Sequence, residues 1–440
     1  MNYKFFSPLL FIVFSIHSLT VSTDEFSWQN DSAQLKGNVI LQNENLKLQS
    51  DQANIIRGQH DQLLKEASLE KDVRIELINQ GILSCDFSHI DFTNLRGKLL
   101  SKSNPIGFQG LLDYKNDKQK LSFICNEASF FLSSLKKNSF FISNLLLQGD
   151  VRINLKDNYF LNAEIVSIDL LKDRNDYKLS KVELKNLEDP IVINFPGGIW
   201  KTKNLLIDLL DESIQSAAAS IQYDDTTLHN IEFEGLRLDL HKKNIFLKGP
   251  IFYKSQKFGS LSTKGDIRIE RYELDHDFPF HSIFVEKEFE ILQTDQKLYS
   301  ASGCKIDHAL KKLHTFTEDF SLIIYDNPHF KLIAKKLEAE YDDSLTSINK
   351  LYFLDHVCVE LKNPYEGVHQ ILADRVTYDA TLQEIRFDSN FKEKILFLGI
   401  DKELLITVDT IIINIDKETN KFKIRTLGIL KSESTKQIKF

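Results

Sequence analysis

The sequence predicts an all-β protein, an elongated and repetitive antiparallel stack made of one or two modules. Three observations predict it. A phrase made of a small residue, an acid or amide and spaced apolar residues recurs in order along the chain, as in Ser50-Asp51-Gln52-Ala53, Cys85-Asp86-Phe87, Ala163-Glu164-Ile165-Val166 and Ala373-Asp374-Arg375-Val376. Between the phrases, apolar and polar residues alternate with period two, the mark of a strand with one wet face. Turn-forming clusters such as Asn43-Glu44-Asn45, Lys156-Asp157-Asn158 and Asp224-Asp225 then punctuate the strands at short intervals. Self-similarity of this kind implies stacked units in place of one enzyme core.

The amino terminus is read first. Residues 1–22 carry one cation, Lys4, then an apolar run over 5–16, then small or polar residues with Thr20 and Ser22 placed for cleavage. That is the pattern of a secretory signal. The run is shorter than the ~20 residues a spanning helix needs, which disfavours a permanent anchor. Export to the periplasm follows as the expected localisation, with possible outer-membrane association.

The strand units come next. Asp72-Val73-Arg74-Ile75 puts Val73 and Ile75 on one face and Arg74 on the other, and Gly149-Asp150-Val151-Arg152-Ile153 and Gly265-Asp266-Ile267-Arg268-Ile269 repeat that opening. Gly37 precedes Ser50 by 13 residues and Gly149 precedes Ala163 by 14, so a second strand leads each phrase at a nearly fixed interval. Leucines at helical spacing over 61–71 and 307–314, and the alanine run within 211–220, are the only helix-like segments, and each is short. Pro190, the Pro196-Gly197-Gly198 turn and Gly249-Pro250 mark candidate boundaries, because proline cannot donate to a ladder. They are equally read as local edges within one stack. The expected division is a leader over 1–22, one β-module over 23–250 and another over 251–440.

Composition narrows the function classes. The formal charge is -8, with Lys and Arg scattered among Asp and Glu, which disfavours nucleic acid as a partner. With 32 Phe and one Met, the interior is filled by rigid aromatics and β-branched residues. The four cysteines form no CxxC pair; Cys85 and Cys125 occupy the small-residue slot of the phrase, which favours buried thiols over bridges. No HExxH, GxSxG, GxxxxGK[ST] or EF-hand loop occurs, so no catalytic residue, cofactor or metal is expected. Asp275-His276-Asp277 with His281 is the nearest approach to a metal set, and its spacing reads as a solvated loop.

The unit Gly-Asn/Asp-Val-x-Ile followed by small-Asp-x-Ala/Val resembles the OstA/LptA-like periplasmic bridge family of lipopolysaccharide transport. It is carried by Gly37-Asn38-Val39-Ile40 with Ser50-Asp51-Gln52-Ala53, by Gly149-Asp150-Val151 with Ala163-Glu164, and by Ala373-Asp374-Arg375-Val376-Thr377-Tyr378-Asp379. The resemblance spans about two thirds of the chain. It implies an open, V-shaped β-jelly roll that is not an enzyme and carries lipopolysaccharide or a related glycolipid towards the outer membrane. It also implies inner- and outer-membrane partners docked at terminal strand edges, here 33–41 and 421–430. The chain is more than twice as long as a single-domain bridge and lacks the barrel of the outer-membrane member.

On this reading Val39, Val73, Ile75, Val151, Ile153, Ala163, Val376 and Ile411 line an apolar groove for acyl chains. Apolar burial at ~25 cal/mol per Å² holds a chain without directional contacts. Asp at position 151 or 153 is then expected to reduce lipid crosslinking and leave secretion intact. The alternatives are a phospholipid conduit of the AsmA/TamB kind, a structural cell-envelope solenoid and, last, an enzyme acting on envelope glycans; the same inward face is also read as a closed sandwich core.

Overall fold

The computed structural model describes residues 14–16, 19–58, 64–77, 81–102, 104–114, 117–136, 139–155, 159–173, 176–224, 228–242, 244–256, 259–271, 281–316, 322–341, 348–363, 367–389, 394–398, 404–416, 422–428 and 431–434. Among them every regular element is a strand. The chain divides into two compact units, Met1–Ile221 and Gln222–Phe440.

In the first unit the strands are β1 (Phe14–Ile16), β2 (Leu19–Ser22), β3 (Glu25–Gln29), β4 (Ser32–Gln42), β5 (Leu46–Arg57), β6 (Leu64–Leu77), β7 (Gly81–Asp91), β8 (Arg96–Leu100) and β9 (Ile106–Tyr114). They continue with β10 (Asp117–Cys125), β11 (Glu127–Lys136), β12 (Ser139–Leu155), β13 (Tyr159–Asp173), β14 (Asp176–Lys185), β15 (Ile191–Phe195), β16 (Gly198–Thr202), β17 (Asn204–Asp208) and β18 (Ser213–Asp224). The long strands are shared between two ladders. β4 pairs with β3 through 32–36 and with β2 through 40–42. β7 pairs with β9 through 81–84 and with β8 through 87–91. β12 pairs with β11 up to residue 148 and with β10 from residue 152. β13 pairs with β15 near its start and with β14 beyond residue 165. Two ladders therefore diverge from a line of corners.

The second unit repeats the scheme with β19 (Leu228–Asp239), β20 (Asn244–Ser255), β21 (Gly259–Thr263), β22 (Ile267–Glu270), β23 (Ser282–Gln293), β24 (Gln296–Asp307), β25 (Lys312–Thr315), β26 (Ile323–Asp326) and β27 (Phe330–Ala334). It ends with β28 (Lys336–Tyr341), β29 (Ile348–Asn363), β30 (Gly367–Asp379), β31 (Glu384–Asp388), β32 (Ile395–Leu398), β33 (Leu404–Val408), β34 (Thr410–Ile415), β35 (Phe422–Leu427) and β36 (Lys431–Ser434). β20 splits between β22 and β21, β24 between β25 and β26, β29 between β28 and β27, and β30 between β31 and β32.

The recurrent phrase is the corner. Its small residue is the last of one half-strand, and its hydroxyl or thiol donates to the carbonyl two residues on: Thr23 to Glu25 at 3.0 Å, Ser50 to Gln52 at 2.8 Å, Cys85 to Phe87 at 3.3 Å, Thr202 to Asn204 at 2.8 Å and Ser300 to Ser302 at 2.7 Å. A small side chain fits because it faces the interior, where a larger one would collide with the other ladder. The acid or amide that follows accepts a backbone N–H from a neighbouring corner, as Asp86 does from Lys102 at 2.7 Å and Asp266 does from Gly249 at 2.9 Å. These groups satisfy backbone atoms that the split ladder leaves unpaired. On alternate strands the corner is a two-residue bulge in the left-handed region: Gly37-Asn38, Lys71-Asp72, Gly149-Asp150 and Asp355-His356, with φ between 44° and 73°. Such a bulge bends the strand and lets both halves turn their apolar residues the same way. In the first unit the result is one hydrophobic cluster running from Val21 to Leu205.

Several sequence expectations change here. The helix-like segments are not helical: 64–77 is strand β6, 308–311 is a turn leading into β25, and the alanine run lies in strand β18. Pairing on both sides of β6 with β5 and β7 outweighs local propensity. Pro196-Gly197 is the turn of the β15–β16 hairpin, and Gly249-Pro250 sits at the bulge inside β20, where no ladder donor is required. The division into two compact units falls at 221/222. The expected edge over 33–41 is covered by β2 and β3 on one side and β5 on the other. Leu19–Ser22, assigned by sequence to the leader, is β2. The rest of the leader, except 14–16, lies outside the described residues.

Candidate functional site

All eight residues chosen from sequence as groove lining point into the interior, and the structure seals them there. None of Val39, Val73, Ile75, Val151, Ile153, Ala163, Val376 and Ile411 exposes more than 6% of its surface. Within the first unit Val39, Val73, Ile75, Val151, Ile153 and Ala163 belong to the same packed cluster, with the bulky Leu35, Leu48, Leu69 and Phe130 filling the space between the ladders. A lipid chain cannot reach them unless the ladders part. Asp at position 151 or 153 therefore tests core packing and not a lipid surface.

Apolar interior meets solvent elsewhere. In the second unit the rows next to the corner are buried: Ile251, Thr263, Phe289 and Ser300 on one ladder, and Leu247, Ile267, Val285 and Cys304 on the other. One step further from the corner the inward rows are only half-covered. They are Tyr253, Leu261 and Ile291 on the first ladder, and Leu238, Ile245, Ile269, Ile283 and Ile306 on the second. On the first ladder the half-covered row ends at the buried Leu298 of β24, and on the second it ends where β25 and β28 begin, for Leu313 and Ala339 in the same register are buried. The stretch β19–β24 thus keeps a buried row beside the corner and half-covered apolar residues beyond it. Among these residues, Tyr253 shares a hydrogen bond of 2.8 Å between its Oη and His229 Nδ1.

The first unit has a smaller opening of the same kind. Beyond the buried Ile191, Leu184 and Leu205, the inward residues Val182, Ile193, Trp200, Ile207 and Ile214 are half-covered and pack against the main cluster. Trp200 holds an indole Nε1–H that is shielded from solvent and has no hydrogen-bond partner. An indole nitrogen only donates, and a buried donor without an acceptor is costly.

Burial pushes the thiols of Cys85, Cys125 and Cys304 up to about 12, and Cys358 is raised in the same direction. All four cysteines are free. Asp307 is held below its usual range by its hydrogen bond and ion pair with Lys305 at 2.8 Å. Among the described residues no group of three His, Cys, Asp or Glu side chains is arranged to hold a metal ion. His281 is described and the remainder of that candidate set, 275–277, is not.

Sequence reasoning missed the half-covered rows because they lie where the repeat is least regular. The one signal available was Gly265-Asp266-Ile267-Arg268-Ile269, whose Ile269 is a wall residue. Comparison with protein-family models finds no match, and comparison with curated proteins finds no relative.

Proposed function

We propose that this protein is a non-enzymatic lipid carrier of the cell envelope, with acyl chains of a glycolipid of the lipopolysaccharide type held in the half-covered interior of β19–β24 and, as a separate site, in the smaller opening of β14–β18. The observation that carries this reading is the pair of half-exposed aliphatic rows above a buried floor. Exposed aliphatic surface between two ladders gains ~25 cal/mol per Å² when an acyl chain covers it, and a run of similar Ile and Leu residues favours no single position. The partnerless Trp200 N–H adds one site for an ester or amide carbonyl of the lipid. Export by the amino-terminal leader, a periplasmic location and partner docking at the β35 edge complete the proposal; β35 pairs with β34 alone among the described strands.

The tryptophans supply the test. The chain has two, and Trp28 is exposed, so Trp28→Phe leaves Trp200 as the sole emitter. Titration with a lipid A-type glycolipid bearing brominated acyl chains is expected to quench Trp200, and a photoreactive residue at position 269 to capture the same lipid. Quenching by brominated phospholipid alone reassigns the cargo. Absence of both quenching and capture overturns the carrier reading.

A further inference from the structure

The apolar half of the repeated Asp-Val-Arg-Ile segment is explained by the core, but its outward arginine is not. Arg74 on β6 and Arg152 on β12 stand on the solvent face of the first unit and border one concavity of about 710 Å³. Strand register shows how it is built. One row crosses six paired strands as Arg74, Ser84, Gly107, Ile124, Arg152 and Asn162. The next row runs parallel to it as Ile82, Gln109, Ser122, Asn154 and Phe160. Five strand spacings of ~4.8 Å give a row of roughly 24 Å before curvature.

The chemistry of this face differs from the interior on every count. Three apolar side chains, Ile82, Ile124 and Phe160, are 38–49% exposed, and each is separated from the others by amides or hydroxyls. That spacing is too broken for an acyl chain, which needs continuous apolar contact. The arginines are charge-balanced: Arg74 bonds Asp72 at 3.2 Å, and Arg152 bonds Asp150 at 2.6 Å. A charge-balanced surface gives no grip on a polyanion. The strands are paired on both sides, so no backbone edge is open to an added strand.

What remains is a surface of fixed donors and acceptors interleaved with small apolar platforms. Guanidinium, carboxylate, amide and hydroxyl groups match vicinal hydroxyls, which both donate and accept. An exposed Phe ring and Ile side chains match the C–H faces of sugar rings. Gly107, in the middle of the first row, leaves the centre of the concavity unfilled, and a Cβ added there meets only Ser84 Oγ, at 3.3 Å.

We infer that this outward face binds an oligosaccharide of several linked sugars, at a site distinct from the apolar interior and independent of the lipid-carrier reading. The test is binding of the labelled full chain to an array of defined oligosaccharides, neutral and uronic acid-containing, followed by titration of the strongest binder. Phe160→Ala, Asn154→Ala and the cavity-filling Gly107→Gln are each expected to weaken binding about tenfold or more, equivalent to ~1.4 kcal/mol. Phe246→Ala, on an outward face of the second unit, is expected to leave it unchanged. Thermal unfolding of each variant separates lost binding from lost structure. No oligosaccharide bound by the wild-type chain at millimolar concentration, or equal binding by folded Phe160→Ala and Gly107→Gln, overturns the inference. Trp200 quenching by lipid in those same variants keeps the two readings separable.

Discussion

The stretch β4–β13 of the first unit and the stretch β19–β24 of the second use one strand pattern to reach two outcomes. In both, aliphatic residues alternate inward and each long strand splits between two ladders at a corner. In β4–β13 the inward positions on either side of the corner are buried; in β19–β24 the row beside the corner is buried and most apolar inward residues beyond it, Leu298 excepted, are half-covered. The difference lies in how the corners are made. The sealed stretch uses left-handed bulges at Gly37-Asn38, Lys71-Asp72 and Gly149-Asp150. No such pair occurs among the described residues of β19–β24, whose corners are formed by close backbone approach at Gly249, Gly265 and Gly303. A bulge that adds bend and twist brings the two halves of a strand together, whereas a flat glycine contact leaves them apart. Coverage of the interior is therefore set at the corner as much as by the side chains that fill it.

The largest effect that tests this contrast is a buried charge. Val151→Asp in the sealed stretch is expected to cost on the order of 4 kcal/mol or more, and Ile269→Asp in the half-covered row about 1–2 kcal/mol, because the second carboxylate keeps part of its hydration. Urea denaturation of both variants measures the gap, and equal losses would erase the distinction between the stretches. Next come the corners. A Cβ at position 303 would lie 2.0 Å from the Val285 carbonyl oxygen, so Gly303→Ala is expected to lose about 2–3 kcal/mol. Gly149→Ala, at φ 73°, is expected to lose about 1–2 kcal/mol. A neutral Gly303→Ala would show that the second-unit corners are not held by backbone contact.

The thiols give a pH-dependent readout. Folding raises Cys85, Cys125 and Cys304 from the ordinary 9.0 to about 12, so the stability they contribute is complete below pH 9 and declines as pH rises towards 12, where the unfolded chain is already ionised. Unfolding midpoints taken from pH 8 to pH 11 should fall. Maleimide labelling at pH 8 should reach the half-buried Cys358 first and Cys304 last, since only the thiolate reacts. The smallest effect is expected at Phe246→Ser, on the outward face of β20, at under ~0.5 kcal/mol by the same denaturation measurement.

Much of this architecture was legible before any coordinates. Period-two alternation placed Val73, Ile75, Val151 and Ile153 on the inward face, where they are found, and the small-acid phrase marked points that proved to be corners. The leucines of β6 and the alanines of β18 misled because helical spacing in a short segment carries no information about strands paired on either side. The openness of the interior was not legible. Whether Ile269 is wetted while Ile153 is sealed depends on the angle imposed by the corner, and alternating Ile residues look the same in both places. The concave outward face was hidden for a related reason: Arg74 and Arg152 are 78 positions apart in sequence and become neighbours of one surface only through four successive strand pairings.

Each of these corners closes one hydrogen bond within its own strand, with Thr23, Ser50, Cys85, Thr202 and Ser300 occupying one equivalent slot. A pair of strands carrying its own corner asks of the rungs beside it only their ladder pairing and the backbone N–H that its acid accepts, as Asp86 does from Lys102. Gene duplication of such a pair would lengthen the protein without a redesign of the flanking residues, so length in this architecture is free to evolve by whole increments, as tiles are added to a row.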